Sequence, residues 1–169
     1  MGIEEFFDKI ISVKMTEDKE LNIIDQTLLP GEIKRINLNT KEEIWEAIKK
    51  LRVRGAPAIG VCAAYGIAKT ASQIEAGNYA DFEKEFLELK EYFASSRPTA
   101  VNLFWALNRM EDALKANKEK SIDEIKDALF KEAEDIRNED VEISRGIGAL
   151  GFKLLKKLKR NGKEIGIMT

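Results

Sequence analysis

The hydrophobic and polar positions of the chain change their period once, near Thr40. Before it, residues 20–24 and 32–38 are rich in β-branched residues and alternate with polar ones, which is typical of half-buried strands. Residues 29–31, Leu-Pro-Gly, supply a turn between them, and residues 12–16 add a third strand after a short helix. This pattern predicts a small antiparallel sheet in the first forty residues.

After Thr40 the apolar residues recur every three to four positions, which predicts helices. Thr40 with Glu43, and Ser121 with Glu124, form Ser/Thr-x-x-Glu capping boxes that mark two helix starts. The expected helix starts lie at Thr40, Pro57, Asp81, Pro98 and Ser121. The side chains expected in the core include Ile44, Trp45, Ala47, Ile48, Leu51, Phe82, Phe86, Leu89, Phe93, Val101, Phe104, Trp105, Leu107 and Met110. The second of these helices, from Pro57 to about Gly77, has so little polar surface that we expect it to be central.

The end of the chain leaves two topologies open. The helical period after Ser121 continues to Leu154, as one very long helix or as two helices joined near Asn138. Asn161-Gly162 then predicts a turn, and residues 164–168 a strand. A helix, a turn and an apolar strand begin an α/β unit, whose ligands bind outside the carboxyl ends of its strands. Alternatively, this last strand joins the N-terminal sheet.

Composition restricts the chemistry that the chain can perform. Lys and Arg number 28 and Asp and Glu number 30, a net charge of −2 that argues against a general nucleic-acid binder. The chain contains no histidine and one cysteine, Cys62, which excludes a Ser-His-Asp or Cys-His device and a multi-thiolate zinc site built from this chain alone. The longest uncharged stretch, 55–68, is too short to span a bilayer, and the first residues are acidic where a signal peptide is basic. We therefore expect a cytoplasmic protein, with Cys62 as a small core residue and Asp25 as a turn cap.

Two junctions combine an arginine with a proline that opens an apolar helix. They are Arg54-Gly55-Ala56-Pro57 and Arg97-Pro98. A helix N-terminus offers unpaired amides and partial positive charge, and an arginine adds a planar fork suited to phosphate. At the first junction, Gly55 has no side chain to obstruct a ligand, so its amide and that of Ala56 are accessible. The sequence is consistent with one shared anion site, and equally with two independent helix starts whose arginines pair with carboxylates or lie on the surface.

Three segments in this order and spacing closely resemble the methylthioribose-1-phosphate isomerase family of methionine salvage. They are residues 24–30 (IDQTLLP), 53–60 (VRGAPAIG) with 63–66 (AAYG), and 96–107 (SRPTAVNLFWAL). That family is related to the regulatory subunits of eukaryotic initiation factor 2B and to archaeal ribose-1,5-bisphosphate isomerase. The resemblance covers almost the whole chain, including residues 140–148.

The resemblance implies an α+β fold, with an antiparallel N-terminal sheet followed by a helical bundle. It implies one domain over 1–160 and the start of a truncated Rossmann-like catalytic domain over 161–169. Members of the family carry their catalytic cysteine and aspartate beyond this point, and Cys62 does not match that cysteine. The resemblance therefore assigns no catalytic residue to this chain, and we expect the chain alone to be inactive.

The resemblance also implies a ligand and a reaction. The family's substrate-binding residues match Arg54, Gly55, Ala56 and Arg97, which are the two junctions described above. The implied reaction converts an aldose 1-phosphate to a ketose 1-phosphate without a metal or organic cofactor. The implied partner is a small sugar phosphate, with no nucleic acid and no membrane, and the full-length protein would be a homodimer. The alternatives are a sister isomerase acting on ribose 1,5-bisphosphate or 5-deoxyribose 1-phosphate, and a regulatory module of the initiation factor 2B type.

Overall fold

The computed structural model describes residues 10–158, and its first elements form a small sheet. Strands β1 (Val13–Met15), β2 (Leu21–Ile24) and β3 (Arg35–Leu38) pair antiparallel in the order β1-β2-β3. In the register, Ile23 lies opposite Val13 on one side and Ile36 on the other. The predicted sheet is confirmed. Strand β3 is shorter than predicted, since it begins at Arg35 and residues 32–34 are irregular.

Within residues 10–158, five helices follow the sheet, and together they confirm the predicted α+β fold. They are α1 (Lys41–Lys49), α2 (Ala56–Ala71), α3 (Tyr79–Ala94), α4 (Val101–Ala116) and α5 (Ile122–Leu158). Both capping boxes are present. The Glu43 amide donates to the Thr40 hydroxyl while the Glu43 carboxylate accepts from the Thr40 amide, and Ser121 and Glu124 make the same exchange.

Helix α2 is the central element of this fold. Every residue from Ile59 to Ala71 is buried, which explains why the helix has almost no polar surface. It packs most extensively against α4 and also contacts α1, α3 and the sheet. The helix ends at Ala71, well before the predicted end near Gly77, because Ser72 caps it and donates from its hydroxyl to the Lys69 carbonyl at 2.7 Å.

Two predicted core residues of α4 lie on its solvent face. Its buried residues are Leu103, Ala106, Leu107, Met110 and Leu114. The prediction that Val101 and Trp105 belong to the core is wrong, since they are 78% and 48% exposed. The buried face begins at Leu103, so positions 101 and 105 project away from α2. Trp105 instead contacts the Arg109 guanidinium, 5.5 Å from its ring centroid. The other tryptophan, Trp45, is half-buried and packs against the core.

The sequence also predicts that Leu51 is buried, and this prediction is wrong, since Leu51 is 42% exposed. It follows the C-cap of α1 in the left-handed region, with φ 61°. Its amide donates to the Ile48 carbonyl at 3.4 Å and the next amide, of Arg52, donates to Ala47 at 2.9 Å. This pair of bonds is a Schellman motif, which usually places glycine at this position.

Replacing Leu51 by glycine is therefore expected to stabilise the protein. A left-handed backbone costs a residue with a side chain about 1–2 kcal/mol, and glycine removes this strain. Glycine also loses more backbone entropy on folding, which costs about 0.5–1 kcal/mol. The net increase in the free energy of unfolding is about 0.5–1 kcal/mol, measured by urea denaturation. A decrease would show that the exposed leucine side chain makes a favourable contact that outweighs the strain.

The chain forms two compact units that divide within α5, one ending at Ile136 and one beginning at Arg137. In the first unit α5 buries Ile125, Leu129, Ala133 and Ile136. In the second its apolar residues are exposed, namely Ile143, Ile147, Leu150, Phe152 and Leu154. The helix is continuous through Asn138, so the one-helix alternative is confirmed. The turn predicted at 161–162 and the strand at 164–168 lie outside the described residues. Across residues 10–158, no helix has the length and hydropathy to cross a membrane.

Candidate anion-binding site

The start of α2 presents uncapped backbone amides to solvent. Gly55 is the N-cap residue, with φ 95°, a conformation that a residue with a side chain rarely adopts. Its carbonyl accepts from the Ile59 amide at 3.0 Å, but no side chain caps the helix. Gly55, Ala56 and Pro57 are exposed. The amides of this first turn therefore carry partial positive charge and can donate hydrogen bonds to a group bound at the N-terminus of α2.

The start of α4 is uncapped as well, but it lies later in the chain than predicted. The helix begins at Val101 with Ala100 as its N-cap, and no side chain caps it. Pro98 lies in the preceding turn, in which the Ala100 amide donates to the Arg97 carbonyl at 3.0 Å, so the prediction that Pro98 opens the helix is wrong. Ser96 is fully buried and donates to the Phe93 carbonyl at 2.6 Å. Arg97 thus lies in a turn whose preceding residue, Ser96, is buried in the core.

The two helix starts lie in the same part of the molecule. A Cβ atom on Gly60 would lie 3.0 Å from the Asn102 carbonyl oxygen and 3.6 Å from the Ala106 Cβ atom. Gly60 stands in the second turn of α2, and Asn102 in the first turn of α4. The second turn of α2 and the first turn of α4 are therefore in close contact. That the Arg54 and Arg97 guanidinium groups converge on one anion stays a prediction.

The arginines at these starts differ from Arg52 and Arg109, which form ion pairs with carboxylates. Arg54 is exposed and Arg97 half-buried, and neither forms an ion pair with a carboxylate in the described part of the chain. Arg109, by contrast, donates to Glu132 at 2.5 Å, and Arg52 is paired with Asp25 and Glu46. An uncapped helix start and an unpaired guanidinium are each suited to a phosphate, and that these groups form one site stays a prediction.

Asp25 lies at the end of β2, and its carboxylate is 4% exposed. It accepts from the Thr27 amide at 3.0 Å and from the Thr27 hydroxyl at 2.6 Å, which confirms the predicted turn cap. It also accepts a hydrogen bond from the Arg52 guanidinium, a long-range pairing that the sequence did not indicate. Burial opposes its charge, but the hydrogen bonds from Thr27 and Arg52 outweigh it and lower the pKa of Asp25.

This lowered pKa predicts an acid-dependent loss of stability. The unfolded carboxyl binds its proton at about pH 4, while the folded carboxyl stays ionised to lower pH. Its stabilising effect is complete above about pH 4 and is lost as the pH falls through the folded pKa. Urea denaturation of the wild type and of Asp25→Asn should show a steeper fall in unfolding free energy for the wild type below about pH 4. Parallel curves would contradict this assignment.

Cys62 is not part of the candidate site. It is fully buried in α2, and burial raises the pKa of its thiol to about 12. The thiol stays protonated and unreactive at neutral pH, which confirms its prediction as a core residue. Across residues 10–158, no three potential metal ligands are grouped together.

An open pocket of about 560 Å³ lies between α1, α2 and α3 and contains none of the candidate residues. Its lining includes Glu42, Glu85 and Glu88 against one lysine, Lys41. This excess of carboxylates disfavours a phosphate there. The helix starts remain the candidate anion site.

Comparison with known proteins places this geometry in context. The chain is 55% identical to a protein of Petrotoga mobilis named 5-deoxyribose 1-phosphate isomerase, over 87% of this chain and 43% of that relative. The crystal structure of 5-methylthioribose 1-phosphate isomerase from Pyrococcus horikoshii matches with a TM-score of 0.73 and 43% identity, covering 78% of this chain and 36% of the other. That of translation initiation factor eIF-2B, subunit delta, from A. fulgidus matches with a TM-score of 0.70 and 40% identity, covering 78% and 37%.

The chain spans less than half the length of each of these relatives. A family model described as the initiation factor 2 subunit family, IF-2B, matches residues 52–165. That match includes Arg54, Gly55, Ala56 and Arg97, and it covers more than half of the chain. The chain therefore belongs to the initiation factor 2 subunit family.

Proposed function

We propose that this chain supplies the phosphate-binding part of an aldose–ketose isomerase that converts 5-methylthioribose 1-phosphate to 5-methylthioribulose 1-phosphate. The observation that carries the proposal is the pair of uncapped helix starts, each preceded by an arginine without a carboxylate partner in the described part of the chain. Relatives at 55% and 43% identity that are named as sugar 1-phosphate isomerases support the reaction class.

In this proposal the substrate phosphate binds at Arg54, Gly55, Ala56 and Arg97. The two guanidinium groups neutralise the phosphate charge, and the amides of Gly55 and Ala56 donate to its oxygens. The glycine is required because a side chain at φ 95° would be strained. Fixing the phosphate at this end positions C1 and C2 of the sugar for the part of the enzyme that carries out the chemistry.

The chemistry itself belongs to the rest of the protein. The C1 phosphate prevents the sugar from opening spontaneously, so a general acid must open the ring before hydrogen moves from C2 to C1. We assign this step to a cysteine and an aspartate in a Rossmann-like domain that begins at 161–169. The domain over 1–160 contributes binding, in a cytoplasmic enzyme that is a homodimer at full length.

A second substrate has specific support. The relative at 55% identity is named for 5-deoxyribose 1-phosphate, which differs from methylthioribose 1-phosphate only at the 5-substituent. The phosphate site proposed here serves both sugars equally. A regulatory module is disfavoured because such a protein does not require two arginines without carboxylate partners beside uncapped helix starts.

A chimera tests this proposal. Residues 1–158 replace the matching part of the Petrotoga mobilis relative, and the purified protein is assayed with both sugar phosphates. We expect turnover by the chimera and none by the 169-residue chain alone. The ratio of kcat/KM for the two sugars, compared with the parent enzyme, reports how much this part contributes to specificity. A folded chimera without turnover, or turnover by the chain alone, would contradict the proposal.

A further inference from the structure

The loop that leads into α2 is tied to the end of β2 by three contacts. The Gln26 amide donates to the Arg52 carbonyl at 3.0 Å, and the Gln26 side-chain amide donates to the Arg54 carbonyl at 3.4 Å. The Arg52 guanidinium donates to the Asp25 carboxylate. The three residues before Gly55 are therefore fixed from one side by the turn that Asp25 caps.

Arg52 also fixes this loop from the other side. Its Nε donates to Glu46 Oε2 at 2.8 Å and its Nη2 to Oε1 at 3.3 Å, near the end of α1. Both carboxylate partners raise the pKa of Arg52, Glu46 more than Asp25. The next residue, Val53, is fully buried, and its amide donates to the Ala47 carbonyl at 3.3 Å. One guanidinium thus joins α1 to β2 immediately before Arg54 and the exposed amides.

We propose that Asp25, acting through Arg52, is a positioning residue for the anion site at Arg54, Gly55 and Ala56. This inference rests on the proposed function, since it assumes that these residues bind phosphate. Asp25 does not touch the ligand. A buried ion pair often contributes little net stability, whereas it restricts geometry strongly, and three directed bonds fix this carboxylate. When a group that orients a binding residue in this way is replaced, the affinity of the site for its ligand commonly falls.

The test uses the full 169-residue chain and sulfate, a dianion that does not titrate near neutral pH. Sulfate binding is followed by the ¹⁵N–¹H shifts of Gly55 and Ala56. The variants are Asp25→Asn, which has the same shape without the charge, and Arg52→Lys, which retains the charge but loses the fork. The matched control is Glu111→Gln, which removes a carboxylate paired with Lys90 of α3 and with Lys115 of α4, and none of these three residues belongs to the loop before α2.

We expect Asp25→Asn and Arg52→Lys each to weaken sulfate binding about tenfold and to shift the Gly55 and Ala56 amides before sulfate is added. Glu111→Gln should bind sulfate with the affinity of the wild type, even if its urea midpoint falls by as much as the midpoints of Asp25→Asn and Arg52→Lys. If sulfate binds the wild type at Gly55 and both variants bind equally well, Asp25 has no positioning role. If Asp25→Asn does not fold, Arg52→Lys decides alone. A wild type that binds no sulfate at these amides overturns the phosphate site and this inference together.

Discussion

Replacing Arg97 or Arg54 by alanine in the chimera is expected to lower kcat/KM for the sugar phosphate by a factor of about thirty to several thousand. This factor corresponds to a loss of about 2–5 kcal/mol in transition-state stabilisation. Each change removes the guanidinium of an arginine that precedes an uncapped helix start in the chain and lacks a carboxylate partner among residues 10–158. The phosphate charge is then neutralised by one arginine and the helix ends alone. Steady-state kinetics over a range of substrate concentrations measures the loss.

Two further variants make this result specific. Arg97→Lys keeps the charge but not the planar fork, so its loss should be smaller than that of Arg97→Ala. Lys50→Ala removes an exposed cation close to the same loop but outside the helix starts, and it should leave kcat/KM unchanged. Losses of equal size for Lys50→Ala and Arg54→Ala would show a general charge effect and would exclude a shared phosphate site.

Replacing Gly60 by valine is expected to lower the free energy of unfolding by about 2–3 kcal/mol. A Cβ atom here already lies 3.0 Å from the Asn102 carbonyl oxygen, and valine adds two methyl groups that the backbone of α4 cannot avoid. Because Gly60 lies where α2 and α4 approach each other, one turn after the start of α2, the variant should also weaken sulfate binding. Urea denaturation and the sulfate titration measure the two effects.

Gly77→Ala is the matched control for this variant, since a Cβ atom at Gly77 would meet nothing within 4 Å. It should change the free energy of unfolding by no more than about 0.5 kcal/mol and leave the sulfate affinity unchanged. Gly60→Ala should be milder than Gly60→Val, because the higher helix propensity of alanine offsets about 1 kcal/mol of the strain. Unchanged stability in Gly60→Val would mean that α2 and α4 are not in backbone contact at this point.

The parts of the fold that the sequence predicts correctly are those governed by local rules. A capping box requires only two side chains three residues apart, so Thr40 with Glu43 locates the start of α1 to the residue. Strand β2 is likewise marked by its β-branched residues. The candidate site residues could be selected because an arginine beside a helix entrance is also a local pattern.

The errors arise where a contact distant in sequence decides the outcome. Val101 and Trp105 follow a helical period, but the close approach of Gly60 to Asn102 determines which face of α4 meets α2. The pairing of Asp25 with Arg52 joins residues from different elements, and no local pattern marks it. The sequence predicts too early a start for α4, because a proline occurs both in turns and in the first turn of a helix.

The burial of α2 gives its amides two distinct rates of hydrogen exchange. Amides from Ile59 onward are bonded within a helix that is enclosed on all sides, so they should exchange only through opening of the whole unit. The amides of Ala56 and Ala58 have no acceptor within the helix and should exchange within its folded state. One helix therefore reports both global stability, through its interior, and occupancy of the proposed anion site, through its first turn.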